Sequence, residues 1–306
     1  MASFAHPDHG DIVRTQEARF EGLPGWRYPP RYIDNLPGFE GLRLHYIDEG
    51  PADAGVTFLC LHGEPSWSYL YRKMIPVFLG AGHRVVAPDW FGFGRSDKPV
   101  DDAVYTFGFH RRTLTAFLDR MKLSHVCLVV QDWGGLLGLT VPKDYPAINR
   151  LIVMNTGIGA GVSPGPGFEA WKAYAAANPD LAVGALMRRA TPVLSDAEAA
   201  AYDAPFPDAT YKAGVRRFPQ LVPVEPGMDG VEEGRASLEF FARDWTGESF
   251  MAVGAADPVL GLDAMRVLRA NIRNCPEPLI VADGGHFVQE WGEPIARAAL
   301  DHFGLA

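Results

Sequence analysis

Short apolar runs recur along the chain, and each is followed by a segment whose apolar positions repeat at helical spacing. Thr57–Leu61, Arg84–Ala87, Val126–Val130, Leu151–Asn155, Ser249–Gly254 and Pro278–Ala282 have the length and continuity of parallel strands buried on both faces. Thr113–Met121, Leu136–Tyr145 and Leu262–Ile272 read as helices. This alternation predicts an α/β fold with a mostly parallel, doubly wound sheet. Upstream, Leu42–Asp48 alternates with period two, which predicts an exposed antiparallel strand at one edge of the sheet.

From about Gly157 to Gly227 the rhythm stops, and Gly/Pro-punctuated helical stretches take over: Phe168–Ala177, Leu181–Ala190 and Asp196–Ala204. Ser195 and Glu198 have the spacing of a capping box, with a hydroxyl and a carboxylate able to satisfy backbone donors at a helix start. Strand-like runs resume at Ser249, so this region reads as an inserted helical cap and not as a separate downstream domain. The expected division is a core of residues 1–156 and 229–306 with a cap of residues 157–228.

Candidate chemistry sits where the apolar runs end. In Val129-Val130-Gln131-Asp132-Trp133-Gly134-Gly135 an aspartate falls at a strand-to-helix turn, the place where a nucleophile elbow lifts a side chain above an α/β sheet. A carboxylate is already ionised at neutral pH, so Asp132 needs no base before attacking carbon. Asp257 and His286 follow, each just past a strand-like run, in the order acid then base. His286 is expected as general base and Asp257 as its orienting partner, while Asp283 is assigned to the turn before Gly284. Leu61-His62-Gly63-Glu64-Pro65 ends another strand, and the backbone N–H groups of Glu64 and Trp133 are the expected oxyanion donors. Gly161-Val162-Ser163-Pro164-Gly165 matches the serine elbow pattern literally, but Pro164 has no N–H to donate, so Ser163 is set aside.

Composition narrows the partners. The 306 residues, 47% hydrophobic and 21% charged, are enough for a substantial core. With 28 basic and 37 acidic residues, a net charge of −9 and no dense basic run, nucleic acid and anionic membranes are disfavoured and a small uncharged substrate fits better. Cys60, Cys127 and Cys275 are read as reduced thiols. The first twenty residues lack the apolar core of a signal peptide and no run is long enough to span a bilayer, so a cytoplasmic location is expected, and a monomer is expected beside it. His6 and His9 are read as surface residues of a flexible tail, with no metal. The glycines from Gly157 to Gly161 lack dinucleotide-binding spacing, so no nicotinamide cofactor is expected.

Together these residues resemble the haloalkane dehalogenases of the α/β-hydrolase family, most closely the branch typified by the 1,2-dichloroethane-degrading enzyme. The resemblance rests on the run His62–Lys73, on Pro88–Pro99, on the elbow, on Cys275–Pro278 and on His286–Glu290. It implies that two indole N–H groups hold the departing halide, with Trp133 matching the one beside the nucleophile and Trp171 the one from the cap. It also implies an alkyl ester on Asp132 that His286-activated water then hydrolyses, with haloalkane, water and halide as the only ligands and no metal or organic cofactor. An epoxide hydrolase is the nearest rival. That chemistry needs hydroxyl donors from the cap, for which Tyr174, Tyr202 and Tyr211 are the candidates.

Overall fold

The computed structural model describes residues 2–306. Its strands are β1 (Ala2–His6), β2 (Gly10–Arg14), β3 (Arg31–Ile33), β4 (Leu44–Glu49), β5 (Thr57–Leu61), β6 (Arg84–Pro88), β7 (Lys98–Pro99), β8 (Val126–Gln131), β9 (Ile148–Met154), β10 (Glu248–Gly254) and β11 (Leu279–Val281). Eight of them form one sheet in the order β11-β10-β9-β8-β5-β6-β4-β3. From β11 to β6 every pairing is parallel, while β4 runs antiparallel to both β6 and β3. The apolar runs at β5 and β8 are buried along their whole length, as central strands covered on both faces must be.

The strand order reverses between β5 and β8: the chain leaves β5 to one side for β6, then returns to lay β8 on the other side. In such sheets a crevice opens at that switch point, beyond the carboxyl ends of the strands. Glu64 follows β5 and Asp132 follows β8, so the topology alone puts both at that crevice. Between β9 and β10 lie the helices Pro166–Ala177, Val183–Ala190, Asp196–Ala201, Ala213–Leu221 and Val231–Arg243. The capping box at Ser195 is formed in both directions.

Three expectations need correction. The period-two strand is not an edge, because β3 pairs outside it, and its inward residues are buried. The terminal segment is no loose tail: β1 and β2 form a hairpin that pairs with β7, and the buried His6 ring bonds the Glu40 carbonyl through Nε2 at 2.7 Å. The helix expected over Leu136–Tyr145 instead spans Trp133–Gly138. Pro142 cannot donate an N–H to a continuing helix, and Thr140 turns its hydroxyl back onto the Leu137 carbonyl. By contrast, the helix expected from Thr113 begins at Phe107, where the Thr106 hydroxyl accepts the Phe109 N–H.

Candidate active site

Asp132 has φ 49° and ψ −124°, a backbone conformation that L residues avoid and that throws its side chain clear of the sheet. The neighbours are built to tolerate it. A Cβ on Gly134 would lie 1.9 Å from the Leu61 carbonyl oxygen, so only glycine lets the helix after the elbow seat against β5. A Cβ on Gly63 would lie 2.4 Å from Asp132 Oδ1, so glycine is also required where the loop after β5 passes the carboxylate. In return that loop donates the Glu64 N–H to Asp132 Oδ1 at 2.7 Å. Trp133 opens its helix, and its N–H therefore has no intrahelical acceptor.

On the other side, His286 Nε2 lies 3.5 Å from Asp132 Oδ2, and His286 Nδ1 is 2.8 Å from Asp257 Oδ2. Asp257 is fully buried in its side chain and also accepts from the Val259 N–H at 2.8 Å and from Asn155 Nδ2 at 2.9 Å. Burial would raise the Asp257 carboxyl, but the His286 charge and these donors outweigh it and hold the group below its ordinary value. Burial would likewise lower the His286 imidazole, yet the charge of Asp257 and the hydrogen bond and charge of Asp132 hold it well above the usual range. Asp283 lines the same cavity, but its carboxylate accepts the indole N–H of Trp291. Ser163 gives its hydroxyl to Glu169.

Asp132 and His286 face a cavity of about 560 Å³ whose walls include Trp133, Phe168, Trp171, Leu186, Val222 and Leu260. Trp67, Trp90, Trp245 and Trp291 each give their indole N–H to a protein acceptor. Among the described residues, Trp26, Trp133 and Trp171 have no such acceptor, and of these only Trp133 and Trp171 line the cavity, so two neutral donors stand at its wall. Trp133 is fixed by the Phe218 ring at 4.3 Å between centroids, whereas Trp171 is half-buried beside Tyr174. Among the described residues no tyrosine lines the cavity. Tyr202 spends its hydroxyl on Glu290, Tyr211 is buried elsewhere and Tyr174 is exposed. The hydroxyl donors that epoxide opening requires are therefore missing from the chamber.

Two groups escaped the reading of the sequence. Asn155, just past β9, takes the Asp132 N–H on its carbonyl at 3.1 Å, and its side chain clamps Asp257 and the Gly254 N–H, so it ties the Asp132 turn to the Asp257 loop. The Glu64 side chain is the other. Burial, reinforced by the Asp132 charge, pushes its carboxyl well above the usual carboxylate range, and its Oε1 has no partner among the described residues. A polar residue at the carboxyl end of a buried strand was the available signal for both. Further back, Arg72 forks onto Glu290 at 2.6 and 2.7 Å and reaches Glu198 at 2.8 Å, joining the helical segment to the turn that follows His286.

The chain matches the model of the alpha/beta hydrolase fold over residues 56–293. It is 42% identical to a haloalkane dehalogenase of Mycobacterium marinum over 93% of this chain and 96% of that one. A haloalkane dehalogenase of Psychrobacter cryohalolentis is 41% identical over 94% and 96% of the two chains. Among solved structures, the tetrameric haloalkane dehalogenase DpaA of Paraglaciecola agarilytica superimposes with a TM-score of 0.93 at 51% identity, covering 95% of this chain and 98% of that one.

Proposed function

The chain belongs to the haloalkane dehalogenases of the α/β-hydrolase fold, hydrolases acting on carbon–halide bonds, and from that premise we propose that Asp132 is the nucleophile of a two-step reaction through a covalent ester. The observation that carries this reading is the carboxylate's position. It lies between the Glu64 N–H and His286, at the wall of a chamber into which two unengaged indole N–H groups face.

In the first step Oδ2 attacks the sp³ carbon, the carbon–halogen bond breaks, and Trp133 and Trp171 receive the halide. Neutral donors suit this task because they stabilise the anion without pairing it to a fixed cation. Oδ1 remains on the Glu64 N–H and becomes the carbonyl oxygen of the ester. In the second step water gives a proton to His286 Nε2 and attacks Cγ of Asp132, while the Glu64 and Trp133 N–H groups hold the developing oxyanion. Asp257 orients the ring and stabilises its charged form. Alcohol, halide and a proton are the products. Burial and the Asp132 charge both raise the Glu64 carboxyl and so oppose a second negative charge beside Asp132.

The division into a core of residues 1–156 and 229–306 and a cap of residues 157–228 is part of this proposal. It gives the core the triad and the cap the far wall of the chamber, including Trp171. The site draws every residue from one chain, so a monomer suffices for the chemistry. Light scattering distinguishes that from the tetramer of DpaA. No helix of the described residues is long and apolar enough to cross a membrane.

The test is His286→Gln. With a good bromoalkane this variant should release one equivalent of halide and stall, and intact-protein mass spectrometry should find the alkyl group on Asp132. Halide release with no trapped adduct would count against the covalent route.

A further inference from the structure

Gln131, the last residue of β8, has no role in the steps above, yet it is fully buried with its amide against the His286 ring. Its Nε2 lies 3.0 Å from His286 Nε2 and 3.1 Å from the His286 carbonyl oxygen. A carbonyl only accepts, so the NH₂ end of the amide faces His286. Gln289, also fully buried, holds that orientation from behind by donating its Nε2 to Gln131 Oε1 at 3.3 Å. One amide hydrogen serves the carbonyl, and the other is directed at Nε2, which must present a lone pair to receive it. At the far side of the ring, Asp257 Oδ2 accepts from Nδ1 at 2.8 Å and so requires the proton there.

We propose that Gln131 is a positioning residue that holds His286 in the form with Nδ1 protonated and Nε2 free, ready to take a proton from water. The inference rests on His286 being the base. The charged groups around the ring pull the other way: Asp257 on one side and Asp132 on the other both favour an imidazolium, while burial raises the nearby Glu64 carboxyl. Formation of the ester removes the Asp132 charge. The Gln131 donor then has only Asp257 to oppose it, and any proton on Nε2 passes to water, so the ring is neutral at the stage where a base is needed. During hydrolysis the water O–H breaks, the new C–O bond forms at Asp132 Cγ and the proton goes to Nε2. The amide gives up its contact with Nε2 and keeps the one with the His286 carbonyl.

The experiment uses Gln131→Glu and Gln131→Met. Rapid quench with a bromoalkane measures the halide burst and the alcohol formed from about pH 6 to pH 9. A carboxylate at position 131 accepts from Nε2–H and holds the imidazolium. Gln131→Glu should therefore keep a one-equivalent burst but hydrolyse roughly tenfold more slowly at neutral pH, recovering as pH rises through an apparent pKa about one unit higher. Gln131→Met, with no donor, should shift in the same direction by less. Histidine ¹⁵N resonances give an independent readout, and Nε2 should be more fully protonated in Gln131→Glu than in the parent. The proposal is overturned if both variants fold and keep the parent rate and profile, or if both lose hydrolysis equally at every pH, which marks a structural role only. His286→Gln separates the two levels of the argument. If that variant hydrolyses the ester as the parent does, it is the reading of His286 as base that fails.

Discussion

Trp171→Phe isolates one halide donor. The substitution keeps an aromatic ring beside Tyr174 and removes the indole N–H, and Trp171 is half-buried, so the fold should lose little. A hydrogen bond to a charged acceptor contributes about 1.5–3 kcal/mol, or roughly 10- to 100-fold in binding. Trp171 is partly open to water that can replace it, which places the loss at the lower end, about tenfold weaker bromide binding. The departing halide carries more charge in the transition state than in the bound substrate but less than free bromide, so the alkylation rate should also fall, by less than bromide binding does. Bromide inhibition of steady-state turnover gives the first quantity and the rate of the halide burst gives the second. Thermal unfolding serves as the control. A folded variant with both values within about twofold of the parent would refute the assignment of Trp171 and leave Trp133 as the only indole donor.

Asp257→Asn removes the buried carboxylate that faces His286 Nδ1 and should slow ester hydrolysis by roughly a thousandfold or more, with the alkyl-enzyme accumulating in mass spectra. The hydrolytic step should also depend on pH with a definite sign. In the ester the Asp132 charge is gone but Asp257 still raises the His286 imidazole, so the neutral base is depleted as pH falls, and single-turnover hydrolysis should climb with pH and then level off. Alkylation does not use His286 as a base and should not follow that rise with pH, so parallel loss of both steps in acid would contradict the division of roles. Gly134→Ala pushes a methyl to 1.9 Å from the Leu61 carbonyl and should cost about 1–3 kcal/mol in denaturant unfolding, with activity falling as the elbow shifts.

The apolar runs of β5 and β8 were legible because central strands buried on both faces must be apolar throughout, and turn residues must then interrupt them. That pattern gave the fold class, and the elbow and His-Gly loop gave the positions of Asp132 and Glu64, since the chemistry of a strand's end is local. The sequence by itself also identified Ser163 as a decoy, because a missing proline N–H is a property of one residue. Other features depended on which segments lie side by side. Nothing in Leu42–Asp48 reveals that Arg31–Ile33 pairs outside it, and nothing near His6 reveals its bond to Glu40. Only the tertiary structure decided that Asn155 and Gln131, two polar residues at strand ends, reach across to Asp257 and His286, and that Tyr174, Tyr202 and Tyr211 stay out of the chamber. A side chain's type and its place on a strand are written locally, whereas its partners come from chain segments often a hundred residues or more away: 102 positions separate Asn155 from Asp257 and 155 separate Gln131 from His286.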